Sequence, residues 1–195
     1  RISRLTTLCL GTLAASTLLG GLFGERALAG TTRLSDRLRL YTALLGAMFH
    51  AAGDPAEVVG NIGRPLTELV LAVDPAAWVV CELSSFQLED VDTLRPRVAV
   101  LLNLEPDHID RHGSFEAYAT AKLRVFENQG PDDTAVVPRD FGPVPGAGRR
   151  IEFSGDDPLP AEPLIPGAHN RENAAAATAA ARAVGIDSSS IAKAL

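Results

Sequence analysis

Residues able to do chemistry are concentrated between positions 103 and 122, in the stretch NLEPDHIDRHGSFEAYATAK. Its first part is a loop that holds Asp107, His108, Asp110, Arg111 and His112. Carboxylates are ligands of hard cations, and a neutral imidazole can bind a metal or an oxyanion. The loop could therefore form part of an ion site. The alternative is that the histidines are ordinary loop residues and that the two aspartates cap turns.

Lys122 lies in the middle of an apolar helical stripe, with Phe115, Tyr118, Ala119 and Phe126 at helical spacing. A lysine in this position either extends past its neighbours to solvent or points into a site. A buried ammonium costs several kcal/mol unless it is partnered or neutral. A neutral amine can react with carbon dioxide to give a carbamate. The sequence permits this reaction at Lys122 but does not require it.

The pattern of the chain predicts an α/β fold, a mainly parallel sheet flanked by helices. Expected strands cover residues 56–59, 78–81, 97–102, 134–137 and 150–153; expected helices cover 42–52, 66–71 and a stretch from Phe115. Helical segments between strands imply right-handed crossovers and parallel pairing. Asn61, Glu82 and the charged loop each follow a predicted strand. Ligands bind at the carboxyl ends of such strands, so these groups are expected to converge on one crevice.

Each of these residues also has a structural interpretation. Asn61, beside Gly60, could accept a turn conformation, and Glu82 could be a solvated acid at a strand end. Ser84 and Ser85 could cap a helix. Asn170 could cap the alanine-rich helix that follows it. Near that helix start, His169 and Asn173 add polar groups where a nucleotide base or ribose could dock.

Composition limits the classes of function. The chain has 195 residues, of which 46% are hydrophobic, and this suits one domain with a sizeable core. A formal net charge of −6 argues against a nucleic-acid surface. Cys9 and Cys81 lie far apart in apolar runs and form neither a zinc pattern nor a disulfide framework. We expect both to be buried free thiols.

Residues 1–40 differ from the rest of the chain. A basic start, an uncharged stretch and the triplet Ala27-Leu28-Ala29 imitate a secretory signal. An amphipathic or misassigned segment is the competing interpretation. Polar and glycine residues interrupt the apolar run, so stable membrane insertion is not expected. We treat 1–40 as atypical and 41–195 as the domain.

Four motifs together resemble the Mur ligases: GNIGRP at 60–65, ELSSFQLE at 82–89, NLEPDHIDRHGS at 103–114 and HNREN at 169–173. The motif ELSSFQLE resembles the branch that adds D-glutamate. The resemblance covers about residues 42–195, in the family's order. It implies the family's central domain, which is similar to P-loop NTPases.

The resemblance also implies a reaction, with cofactors and site residues. Members use ATP and Mg2+ to form an acyl phosphate on UDP-MurNAc-L-alanine, which D-glutamate then attacks. By motif, Glu82 and His108 would belong to the magnesium site, and Lys122 would be the family's carbamylated lysine, catalytic together with His108. Asn61, Ser84 and Gln87 would hold the muramoyl substrate. Asn170 and Asn173 would contact ATP.

The chain departs from the family pattern before residue 42. The family has a GTNGKTT phosphate loop just ahead of the helix, whereas residues 31–41 here read TTRLSDRLRLY. We therefore expect an incomplete copy of a cytoplasmic, monomeric ligase, without the flanking domains and inactive alone. The alternatives are a non-catalytic muramoyl-nucleotide-binding module and an exported interaction protein built on a retired ligase domain.

Overall fold

A computed structural model of the chain describes residues 34–61, 64–69 and 73–195. The signal-like residues 1–29 lie outside this part. The elements in chain order are α1 (Leu34–Ala52), β1 (Ala56–Gly60), α2 (Leu66–Leu69), β2 (Trp78–Glu82), α3 (Ser85–Glu89), β3 (Val98–Val100), α4 (Ile109–His112), α5 (Phe115–Glu127), β4 (Thr134–Pro138), β5 (Arg149–Phe153), α6 (Ala168–Ala183) and α7 (Ser188–Ala194).

All strand pairs of the described chain are parallel, which confirms the predicted α/β class. β1 pairs with β2 in one sheet, and β3, β4 and β5 follow one another in a second. The single sheet expected from the sequence is thus divided between β2 and β3, because those two strands do not pair with each other.

The two sheets nevertheless share the same two apolar faces. Val80 of β2 belongs to one core cluster together with Val98 and Val100 of β3. The alternate residues Val79 and Cys81 of β2 belong to a second cluster, together with Ala99. Side chains alternate between the faces of a strand, so both sheets form one layer with a core on each side.

Small side chains on α6 let it pack closely against α1. Ala174, Ala177 and Ala181 are fully buried there, beside Tyr41 and Leu45 of α1. The last helix, α7, also packs against α1. The residues after position 142 are therefore part of the same packed unit as the strands.

Short or terminal elements differ most from the sequence-based expectation. α1 begins at Leu34 rather than at position 42, so residues 34–41 are helical. The one-turn helix α4 and the short helix α7 were not predicted, and α3 was considered only as a helix that Ser84 or Ser85 could cap. Helices of this length carry too little periodicity to be seen in a sequence. In the described ranges no helix is both long and apolar enough to cross a membrane.

Candidate active site

The carboxyl ends of β1 and β2 lie side by side. The amide of Asn61 donates a hydrogen bond to the carbonyl oxygen of Glu82, at 2.9 Å. The Glu82 residue is 1% exposed, and Asn61 is exposed. The structure therefore joins the predicted substrate residue Asn61 to the predicted metal residue Glu82 through the backbone.

Gly60 makes this close approach possible. Its φ is +132°, and a Cβ atom added there would stand 2.1 Å from the carbonyl oxygen of Glu82. A side chain would therefore meet rigid backbone as well as an unfavourable conformation.

We expect Gly60→Ala to lower the free energy of unfolding by at least about 2 kcal/mol, since it combines backbone strain with overpacking. Urea unfolding of both proteins measures the change. Gly142→Ala is the matched control, because a Cβ atom there meets nothing within 4 Å. Equal stability of the two variants would show that the β1 and β2 ends are not held together in this way.

Ser84 and Gln87 form a capping box at the start of α3. The Ser84 hydroxyl accepts the Gln87 amide at 3.2 Å, and the Gln87 side-chain oxygen accepts the Ser84 amide at 2.9 Å. Both residues satisfy backbone groups that a helix start leaves unpaired. The capping interpretation of Ser84 is thus confirmed, and a role of either residue in substrate binding stays a prediction.

His108 has a left-handed backbone conformation, with φ 52° and ψ 31°, immediately before α4. Few residues other than glycine adopt this conformation. Its amide donates to Oδ1 of Asp107 at 2.9 Å, and its ring Nε2 lies 3.5 Å from Asp107 Oδ2. The ring also packs on Phe86, with centroids 4.7 Å apart. These contacts hold the imidazole of His108 beside α3.

His112 contacts α3 through both ring nitrogens. Nδ1 lies 2.9 Å from Oε1 of Glu89, and Nε2 lies 3.0 Å from the Ser85 hydroxyl. The His112 side chain is 1% exposed. Both partners are more than 20 positions away in the sequence, so a local pattern gave no signal of this contact.

Lys122 points into the protein, as its place on the apolar stripe predicted. The residue is 1% exposed, and its Nζ lies 5.9 Å from the centre of the Tyr118 ring. The buried face of α5 includes Ala121 and Val125 in place of the predicted Phe115 and Ala119. Burial, followed by the negative charges of Asp107 and Glu105, raises the pKa of Tyr118 well above its usual value.

Aromatic contacts connect these side chains. Phe86 packs on both His108 and His112, His112 meets Tyr118 edge to face at 5.5 Å, and Tyr118 adjoins Lys122. The predicted magnesium, muramoyl and lysine residues thus lie on neighbouring parts of β1, β2, α3, α4 and α5.

Asn173 faces a different region. It is 6% exposed and lines a cavity of about 600 Å³ at the carboxyl ends of β3, β4 and β5. Other lining residues include Asn103, Glu105, Arg139, His169 and Glu172. The loop after β3 therefore extends from this cavity towards His108.

The prediction that Asn170 caps α6 is wrong. The N-cap is Gly167, at φ 125°, and the Asn170 side chain donates instead to the carbonyl oxygen of Pro166 at 2.9 Å. Asn170 lies inside the first turn, where a side chain reaches back to the preceding backbone. Asn170 is not among the residues that line the cavity.

The donors present fit Mg2+ only in part. Glu82 offers buried carboxylate oxygens, the ligand type that Mg2+ prefers. Among the described residues, no three His, Cys, Asp or Glu side chains are grouped closely enough to hold a metal ion. Mg2+ is commonly bound by one or two carboxylates together with water and substrate phosphates, so a single buried carboxylate is compatible with that mode.

The chain matches the model of the Mur ligase middle domain over residues 40–142. A UDP-N-acetylmuramoylalanine--D-glutamate ligase of Pelotomaculum thermopropionicum is 42% identical over 181 residues, covering 77% of this chain and 40% of that protein. The ligase of the same name from Geotalea daltonii is 55% identical over 96 residues, covering 49% of the chain and 21% of its own length. The chain thus spans two fifths or less of these two relatives.

Solved structures show the same fold. MurF from Acinetobacter baumannii matches all of this chain, and 46% of its own, with a TM-score of 0.69 at 19% identity. Escherichia coli FolC matches all of this chain, and 57% of its own, with a TM-score of 0.57 at 15% identity. At these identities the likeness concerns the fold alone.

Proposed function

Since the chain belongs to the Mur ligase family, we propose that it carries the central part of an ATP-dependent ligase that joins D-glutamate to UDP-MurNAc-L-alanine. The observation that carries the proposal is that the contacts of Phe86, His112 and Tyr118 connect His108 and Lys122 to α3. α3 begins at Ser85, directly after the β2 end that carries Glu82. The relatives named as D-glutamate ligases support the choice of amino acid.

The proposed reaction has two steps. A carboxylate oxygen of the L-alanine unit attacks the γ-phosphorus of ATP, and ADP leaves. The amine of D-glutamate then attacks the acyl carbon, so a C–N bond forms, phosphate leaves and the nitrogen loses a proton. Both reactants in the first step are anionic, so positioning and positive charge are the main requirements. A bound Mg2+ would offset the charge on the phosphoryl group.

We assign the roles of the residues from the family motifs that they match. Glu82 and His108 would hold Mg2+, with Glu82 supplying the buried carboxylate. Asn61, Ser84 and Gln87 would orient the muramoyl substrate at the β1, β2 and α3 ends. Asn173 would contact ATP from the cavity, and Asn170 would contact it from the first turn of α6. A monomer in the cytoplasm is the expected setting, since ATP is scarce outside it.

Lys122 would act as a carbamate. Burial disfavours its ammonium form, and a neutral amine attacks the carbon of carbon dioxide. An N–C bond forms, an electron pair moves to oxygen and a proton is released. The carbamate product carries a negative charge, whereas a protonated lysine side chain carries a positive one. Such a group could orient His108 or the metal site from α5.

A non-catalytic muramoyl-nucleotide-binding module is the second candidate. It is favoured by the helix over residues 34–41, where the family resemblance places a glycine-rich phosphate loop. Beyond its first turn a helix donates its amides to its own carbonyls, so residues 38–41 offer none to a phosphate.

Titration of the 15N-labelled chain with UDP-MurNAc-L-alanine and Mg2+ tests the substrate crevice. We expect the amide signals of Asn61, Ser84 and Gln87 to shift and Asn61→Ala to weaken binding about tenfold, since it removes a polar contact. Asn128→Ala is the matched control, because its side chain bonds to carbonyls of the 92–94 loop, at the C-terminal end of α5.

UDP-N-acetylglucosamine serves as the control ligand, since it lacks the lactyl and alanine groups. We expect it to leave the Ser84 and Gln87 signals unchanged. Equal shifts with both nucleotides, or shifts confined to other elements, would contradict the proposed substrate site.

A further inference from the structure

The side chain of His112 is buried and has a polar partner at each ring nitrogen. Its side chain is 1% exposed, with Glu89 at Nδ1 and Ser85 at Nε2. Buried polar groups are normally hydrogen-bonded, but two side-chain partners from one helix hold a ring in a single orientation. None of the roles proposed above uses this residue.

The partners determine where the protons lie. The ionised carboxylate of Glu89 only accepts hydrogen bonds, so Nδ1 must carry the proton and donate to Oε1 at 2.9 Å. In the neutral ring Nε2 is then an acceptor, and the Ser85 hydroxyl donates to it at 3.0 Å. The contacts therefore select the Nδ1–H tautomer of His112 and the direction of the Ser85 hydroxyl.

Both partners lie on α3, one helical turn apart. Ser85 follows Ser84, the capping residue, and Glu89 is the last residue of the helix. The other carboxylate oxygen of Glu89 accepts a hydrogen bond from Nη2 of Arg111, at 3.2 Å. The guanidinium of Arg124, from α5, donates to the backbone oxygen of Glu89. Glu89 thus has fixed contacts with both α4 and α5.

The His112 ring also contacts the aromatic side chains beside it. It stacks on Phe86, with centroids 5.6 Å apart, and meets Tyr118 edge to face at 5.5 Å. Tyr118 adjoins the buried amine of Lys122. His112 is therefore in contact with the capping-box helix on one side and with the lysine helix on the other.

We propose that His112, on α4, is a positioning residue. Its hydrogen bonds to Ser85 and Glu89 fix α3, and its ring contact with Tyr118 holds α3 beside α5, so that Ser84 and Gln87 face the same substrate as Lys122. The proposal rests on the proposed function for the identity of that substrate. The hydrogen-bonded geometry itself does not depend on the function.

The tautomer provides a test that needs no ligand. The chain has four histidines, so long-range 1H–15N spectra can be assigned with single variants. For the neutral ring of His112 we expect the proton on Nδ1 and none on Nε2. Ser85→Ala should shift the Nε2 resonance and leave the proton on Nδ1. The opposite tautomer would overturn the assignment of the donor and acceptor.

Binding provides the second test. We expect Ser85→Ala and His112→Phe each to raise the dissociation constant for UDP-MurNAc-L-alanine about 5- to 10-fold, since one buried hydrogen bond fixes the orientation of α3. The phenylalanine variant retains a ring that packs on Phe86 and Tyr118. A role in packing alone would therefore leave its affinity unchanged.

Ser190→Ala is the matched control. Ser190 is also a buried serine on a short helix, and its hydroxyl donates to Asp187 at 2.8 Å, in α7, which packs on α1 rather than on α3. We expect Ser190→Ala to change stability but neither the His112 spectrum nor the dissociation constant.

If the tautomer is as expected and neither Ser85→Ala nor His112→Phe changes affinity, the positioning role is wrong. If the unsubstituted chain binds no muramoyl nucleotide, the proposed function fails instead.

Discussion

Lys122→Ala is expected to lower D-glutamate ligation at least about 1,000-fold, corresponding to about 4 kcal/mol of transition-state stabilisation. The measurement uses a chimera in which residues 42–195 replace the matching segment of the Pelotomaculum ligase, which supplies the remainder of the protein. The physical reason is that a carbamate on Lys122 would provide a negative charge at a buried position beside Tyr118. Neither alanine nor an unmodified ammonium provides that charge.

Two further variants separate chemistry from folding. Lys122→Met retains a long apolar side chain in the buried site, so we expect it to fold and to be as inactive as the alanine variant. Lys193→Ala, on α7, is the control and should retain full activity. A carbamate carbonyl signal after exposure to 13C-labelled carbon dioxide should be present in the parent and absent from both Lys122 variants. Ligation that persists in Lys122→Met would rule out the carbamate.

The second large effect concerns the residues before position 42. A longer graft that begins at residue 31 places TTRLSDRLRLY where the family pattern has its phosphate loop. We expect this graft to lose ligation by at least about 1,000-fold, because backbone amides and a lysine no longer surround the phosphates. The rates of steady-state phosphate release by the two grafts measure this loss.

Binding of the muramoyl substrate is the internal control for the longer graft. It should equal that of the shorter graft, since Asn61, Ser84 and Gln87 are the same in both. Equal ligation by the two grafts would show that residues 31–41 do not determine whether the site is active.

Strong local patterns predicted the fold well. The apolar strands around Val79, Ala99 and Val136 were placed within two residues or so of their observed ends, since a buried parallel strand is a nearly continuous apolar run. The long alanine-rich helix was equally clear. The division of the sheet between β2 and β3 was not foreseeable, because strand pairing depends on distant segments that a local pattern does not describe.

The candidate site shows the same contrast. The apolar stripe around Lys122 correctly indicated that its side chain points inward. The contact of His112 with Ser85 and Glu89 could not be predicted, because the residues lie on different helices and both α3 and α4 are too short to give a periodic signal. The capping role expected for Asn170 was wrong because Gly167 is the N-cap of α6. The side chain of Asn170, inside the first turn, donates instead to the carbonyl oxygen of Pro166.

We propose that residues 42–195 form a working central part of a D-glutamate ligase. The rate of phosphate release by the shorter graft tests this proposal, with UDP-MurNAc-L-alanine, ATP and Mg2+ present, as D-glutamate is added. We expect release that depends on D-glutamate, with one phosphate formed for each amide bond. A folded graft that binds both nucleotides but releases no phosphate in response to D-glutamate would contradict it.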